Sequence, residues 1–169
     1  MNSINRITKS TILSKSKLTS KTVIIVFLSS LLIHFDALSQ NNENLEQDRK
    51  MIFEAIDRYN TAWKTRNAEL AVQDYSSYIH WVNSVGDLMR TRKDLKKYLT
   101  FIFGLDIVMK NERIPQVKEI TFQSEKIAVV HSLHLESGAK NYHLRVFYKE
   151  GKEWKIINHI TSREHPKNE

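Results

Sequence analysis

From Arg113 onward the sequence alternates with a period of two, and this half-chain of strands limits the fold more than any other feature. Four segments carry the alternation: residues 116–123, 126–136, 141–149 and 153–161. The turns between them are Ser124-Glu125, Ser137-Gly138 and Glu150-Gly151. Connections this short join antiparallel neighbours, so the second half of the chain is expected to be a meander. A sheet of that length coils with its own twist.

Ahead of it the pattern is helical. Ile52, Ile56, Tyr59 and Trp63 recur at spacings of four, three and four, which stacks them on one helix face. Asn67 offers an N-cap for a short second helix through Leu70 and Val72. Residues 78–83 and 87–90 read as a strand pair around a Ser-Val-Gly turn. Thr91 and Asp94 then form a capping box for a third helix with the stripe Leu95, Tyr98, Leu99, Ile102 and Phe103. The fold class expected is α+β: a cone-shaped fold with a curved, mainly antiparallel sheet and three helices from the N-terminal half on its concave face. Between the two layers a tapered pocket is expected.

The N-terminus has the features of an export signal. A basic, Ser/Thr/Lys-rich stretch precedes the 11-residue apolar run from Val23 to Ile33. A membrane-spanning helix needs about 20 apolar residues, so cleavage after Ala37-Leu38-Ser39 is the reading, with exported material starting near Gln40 in a periplasmic or secreted setting. The organisation expected is a signal peptide over residues 1–39, a linker over 40–45, one domain over 46–163 and a polar tail over 164–169. The formal charge of +7 shrinks with that cleavage, because residues 1–39 carry five bases and one acid. What remains is close to balanced and interleaved, without the basic face of a nucleic-acid binder. There is no cysteine, which excludes disulfides, a thiol nucleophile and Cys-ligated zinc.

The segment Arg58-Tyr59-Asn60-Thr61-Ala62-Trp63-Lys64-Thr65-Arg66-Asn67, the strand Trp81-Val82-Asn83 with Gly86, Ala128-Val129-Val130-His131, and Arg145-Val146-Phe147 followed by Gly151, Trp154, Ile156, Ile157 and His159 carry a family signal in their order and spacing. Together they resemble the SnoaL-like, polyketide-cyclase-like branch of the nuclear transport factor 2-like superfamily over nearly all of residues 46–162. The sequence departs from that branch at His80, where an acid is usual, at Thr91, where Gly is usual, and at Asn67, where Asp is usual. The resemblance implies a cone-shaped pocket for a small apolar or aromatic molecule. It also implies cofactor-free acid/base chemistry of the isomerase, cyclase or hydrolase kind, or binding and homodimer assembly without catalysis. Fold alone does not choose between these.

Strand alternation places Ile127, Val129, His131, Leu133 and Leu135 on one face, with His131 the one titratable group on an apolar stripe. His131 is therefore the expected proton-transfer residue; a core histidine bonded to backbone is the alternative. Tyr59, Trp63, Trp81, Asn83 and His159 are the expected ligand-binding residues. Tyr59 can offer a hydroxyl, Asn83 can donate and accept, and the tryptophans can form walls. Against this, Asn83 can equally satisfy its own turn, and Tyr59, Trp63 and Trp81 can simply pack. Arg145 can reach an acidic ligand or serve a surface or dimer role. His80, His134 and His143 are expected on outer faces, and two histidines without a carboxylate make a weak metal signal, so neither metal nor cofactor is expected. No paired carboxylate falls on an apolar stripe, and there is no Gly-rich phosphate loop or G-x-S-x-G elbow to suggest another chemistry.

Overall fold

A computed structural model describes the backbone of residues 20–106, 113–136 and 139–164. The chain divides into two compact units, Met1–Glu43 and Asn44–Glu169. Residues 1–19 of the expected signal peptide lie outside the described residues, as do the Ser137-Gly138 turn and residues 165–169 of the tail. Helix α1 spans Ser20–Thr65. Residues 40–45, expected as a linker, are helical within it. Neither Gly nor Pro interrupts residues 20–65. Among the described residues no helix is long and apolar enough to cross a membrane.

Within the second unit, α1 ends where Arg66 takes a left-handed conformation with φ 56°. Asn67 N–H then reaches back to Ala62 C=O at 2.9 Å and Arg66 N–H to Trp63 C=O at 3.4 Å, a Schellman closure made without glycine. The same Asn67 caps α2 (Ala68–Val72), its side-chain oxygen accepting from Leu70 N–H. Helix α3 (Arg92–Phe103) starts at the expected capping box: Thr91 Oγ1 accepts from Asp94 N–H and donates to the Asp94 carboxylate.

The sheet has six strands: β1 Tyr75–Val82, β2 Leu88–Thr91, β3 Arg113–Ser124, β4 Ile127–Glu136, β5 Ala139–Glu150 and β6 Glu153–Glu164. Their order is β2-β1-β6-β5-β4-β3, open at both edges. All pairings are antiparallel except β1 with β6, which is parallel. Pro115 sits on edge strand β3, where a missing N–H does least harm. The helical stripe Ile52, Ile56, Tyr59 and Trp63 is buried, and with Leu95, Leu99 and Phe103 of α3 it packs on Ile120, Ala128, Val130, Phe147, Trp154 and Ile156 of the sheet.

Two polar clamps fix the position of α1. Arg58 donates through Nε and Nη2 to both carboxylate oxygens of Asp74, at 2.8 and 2.9 Å. Asp48 accepts from Lys149 Nζ and from Trp154 Nε1, tying the helix to the β5–β6 hairpin.

Candidate functional site

The concave face of the sheet changes character along its strands. On β5 the inward residues run Phe147, Arg145, His143, Asn141, and on β4 they run Ala128, Val130, Ser132, His134; all are buried. Register places His159 opposite Arg145 and Thr161 opposite His143. One end of the concave face is therefore apolar, and the other carries polar and titratable groups. Tyr59, Trp63, Tyr75, Trp81 and Phe103 stand over it from α1, β1 and α3. Tyr59 and Trp63 have ring centroids 6.2 Å apart, Trp63 and Phe103 4.8 Å apart, and Trp81 and His159 5.8 Å apart.

Three of the polar residues form a chain. Tyr75 Oη lies 2.6 Å from His159 Nδ1, and His159 Nε2 lies 2.9 Å from His143 Nδ1. The His143 ring lies against His134, with centroids 4.1 Å apart. A neutral imidazole has one N–H, so the chain has two self-consistent directions. If Tyr75 donates to His159, then His159 donates to His143; if His143 donates, His159 donates to Tyr75. Burial, with smaller contributions from Arg145 and His134, holds the His159 pKa well below its ordinary value, so His159 is neutral at pH 7. Burial first, then Tyr59, pushes the Tyr75 hydroxyl well above its ordinary value, with Arg145 and Trp81 pulling the other way. Such a chain can pass a proton between its ends without a charge resting on His159.

Arg145 lies beside it with 0 % exposure. Its Nη1 donates to Ser132 Oγ at 2.6 Å, and its guanidinium carbon stands 5.0 Å from the centre of the Tyr59 ring. Nε and Nη2 are buried and lack a hydrogen-bond partner of acceptable geometry, although the guanidinium is near enough to Tyr75 to favour its phenolate.

The structure brings Tyr59, Trp63, Trp81 and His159 together in this interior, and His159 is completely buried. It does not bring His131 there. His131 is exposed on the outer face of β4, and the inward phase belongs to Ala128, Val130, Ser132 and His134. The expectation failed because the outer phase is the more apolar of the two. Asn83 is buried in the β1–β2 turn, where its oxygen accepts from Val85 and Asp87 N–H and its amide donates to the Asp87 carboxylate and to Tyr98 Oη. Its hydrogen-bonding capacity is taken up by the turn that Gly86, at φ 95°, completes. His134 and His143, expected outside, face inward, as does Arg145. Sequence reading passed over Tyr75 and Ser132. A bulge in β6 hid the phase of His159: Phe147 pairs with Ile156 but Val146 pairs with Asn158, so Ile156 and His159 both face inward. Among the described residues no group of His, Asp or Glu has the spacing to hold a metal ion.

A curved six-stranded sheet with helices on its concave face defines a nuclear transport factor 2-like, or cystatin-like, fold. Solved structures share it. A domain of unknown function with a cystatin-like fold from Nostoc punctiforme superposes with a TM-score of 0.66 at 16% identity, covering 72% of this chain and 80% of that one. A ketosteroid isomerase-like protein from Erwinia carotovora atroseptica gives 0.59 at 16% identity, covering 69% and 96%. A nuclear transport factor 2-like protein from Novosphingobium aromaticivorans gives 0.59 at 16% identity, covering 73% and 86%. No protein-family model matches the sequence, and no curated protein matches it. At these identities the likeness is one of fold, so the function has to be argued from the site.

Proposed function

We propose that this protein binds a small, mainly aromatic or apolar molecule in the concave interior, with the Tyr75–His159–His143 chain and Arg145 meeting its polar group. The observation that carries this reading is the polar inward set itself. A core required only for folding gains nothing from burying three histidines and an arginine, since each buried polar group costs free energy unless bonded. The aromatic residues over the sheet offer the walls such a ligand needs. The histidine chain gives the site a means of cofactor-free proton transfer, in keeping with the SnoaL-like resemblance of the sequence.

A thermal-shift screen of aromatic alcohols, phenols, carboxylates and steroids tests the reading. At least one class is expected to raise Tm in the wild type and in His131→Ala, and to lose that effect in His159→Gln. Hits that depend on His131 and ignore His159 would move the site to the outer face.

A second surface supports the expected homodimer. Outer-face residues Ile127, Tyr142, Tyr148 and Ile160 are large, apolar and between 37% and 46% exposed, with Leu144 and Val146 among them. A contiguous apolar patch on a sheet face suits a second copy of the chain, in which case His131 serves assembly. Sedimentation equilibrium is expected to give twice the chain mass for the wild type and a monomer for Ile160→Asp; a monomeric wild type at high concentration contradicts the dimer.

A further inference from the structure

We infer that the interior site is built for an anionic ligand, an aromatic or apolar monocarboxylate, whose carboxylate seats on the Nε/Nη2 edge of Arg145. The inference rests on the proposed interior binding site and adds the charge of what binds there.

Arg145 cannot escape burial as the histidines can. A buried imidazole gives up its proton, whereas a guanidinium stays charged at any pH a protein meets. Buried charges are therefore paired or bound to something of opposite sign. Among the described residues no carboxylate lies within ion-pair distance of Arg145. The two buried acids are occupied elsewhere, Asp48 by Lys149 and Trp154, and Asp74 by Arg58. What Arg145 does have is partial compensation. Ser132 takes one donor, the face of Tyr59 takes some of the charge, and the Tyr75 hydroxyl lies close enough to interact with it.

The donors left over are not scattered. Nε and Nη2 are the parallel pair on one side of the guanidinium plane, the edge that holds a carboxylate with two hydrogen bonds. That edge belongs to a side chain with 0 % exposure on the polar stretch of the concave face, out of reach of bulk solvent. A single guanidinium with neutral neighbours suits a single negative charge better than a phosphate's two. His159 has both ring nitrogens bonded, to Tyr75 and His143, and its neutral ring does not compete for the ligand's charge. Tyr59, Trp63 and Trp81 supply apolar surface for the rest of the molecule.

The probes are sodium benzoate, phenylacetate and cinnamate, against the uncharged isosteres benzamide and nitrobenzene, at constant ionic strength. Tm and calorimetric titration are read on the full chain. The carboxylates are expected to bind at least about tenfold more tightly than the isosteres, as a bidentate charged contact requires. Arg145→Met should abolish that preference while the ligand-free Tm stays level or rises, because the variant removes a buried charge that is only partly compensated. Arg145→Lys keeps the charge without the fork and should bind benzoate more weakly than wild type; it serves where the Met variant is insoluble. Isosteres that bind as well as carboxylates would overturn the anion inference and leave the interior site standing. Absence of binding by every probe would overturn both. A carboxylate preference retained in full by Arg145→Met would show that the arginine serves the fold and not the ligand.

Discussion

Replacing Asp48 by Ala is expected to lower the free energy of unfolding by about 2 kcal/mol, the scale found when a buried donor loses its charged acceptor. The Asp48 side chain is nearly buried, and it accepts from Lys149 Nζ at 2.7 and 2.8 Å and from Trp154 Nε1 at 2.9 Å. Lys149 is partly exposed and can turn back to water, so its loss is the smaller part. Trp154 is buried, and its indole N–H would be left without an acceptor. Asp48→Asn keeps an acceptor for the indole and is expected to cost about half as much. Urea denaturation of the two variants measures both. A loss below about 1 kcal/mol for Asp48→Ala, the range of an exposed pair, would mean that the clamp does not hold α1 to the β5–β6 hairpin.

Stability is expected to form a plateau from about neutral pH to about pH 10 and to fall on both sides, by up to about 1.4 kcal/mol per pH unit for one proton. On the acid side the group is His159, whose folded pKa lies well below the ordinary 6.5. As pH drops through 6.5 the unfolded chain takes up this proton and the folded chain does not, so the unfolded state gains and stability falls. The loss stops growing once the folded pKa is reached. The groups facing His159 are Tyr59 from α1, Tyr75 from β1, and His134, His143 and Arg145 from the neighbouring strands; none is a carboxylate that could reverse the sign. On the alkaline side the group is Tyr75, raised well above the ordinary 10.0. Above pH 10 the unfolded chain releases the phenolic proton first, and stability falls again. His159→Gln is expected to flatten the slope between pH 5 and 6.5 relative to wild type, measured by chemical denaturation at fixed ionic strength. An unchanged slope would mean that His159 is not buried neutral.

Local signals made most of the fold legible. The stripe on α1, the Asn67 and Thr91 caps and the Gly86 turn each depend on a few neighbouring residues, and all are found as the sequence suggests. The β1–β2 hairpin and the β3–β6 meander follow from their short connections, whereas the parallel pairing of β1 with β6 joins strands distant in sequence and has no local signal. What local pattern does not carry is which face of a strand turns inward. On β4 the apolar phase, Ile127 to Leu135, lies outside, and the phase with Ser132 and His134 lies inside. The rule that apolar residues face inward fails on β4 because both phases carry apolar side chains, and the inner one carries Ser132 and His134 as well. The bulge at Ile157 misleads in the same way, since one extra residue reverses the phase of everything beyond it. Arg145 was ambiguous for a related reason: its alternation with His143 and Phe147 was plain in the sequence, but only the β4 and β6 neighbours show which way that phase points.

The most direct test is a crystal structure of the protein grown with cinnamate. The carboxylate is expected within about 3 Å of Arg145 Nε and Nη2, with its ring against Tyr59 and Trp81. Cinnamate found only on the outer sheet face, over a closed interior identical to that of the unliganded protein, would contradict the account.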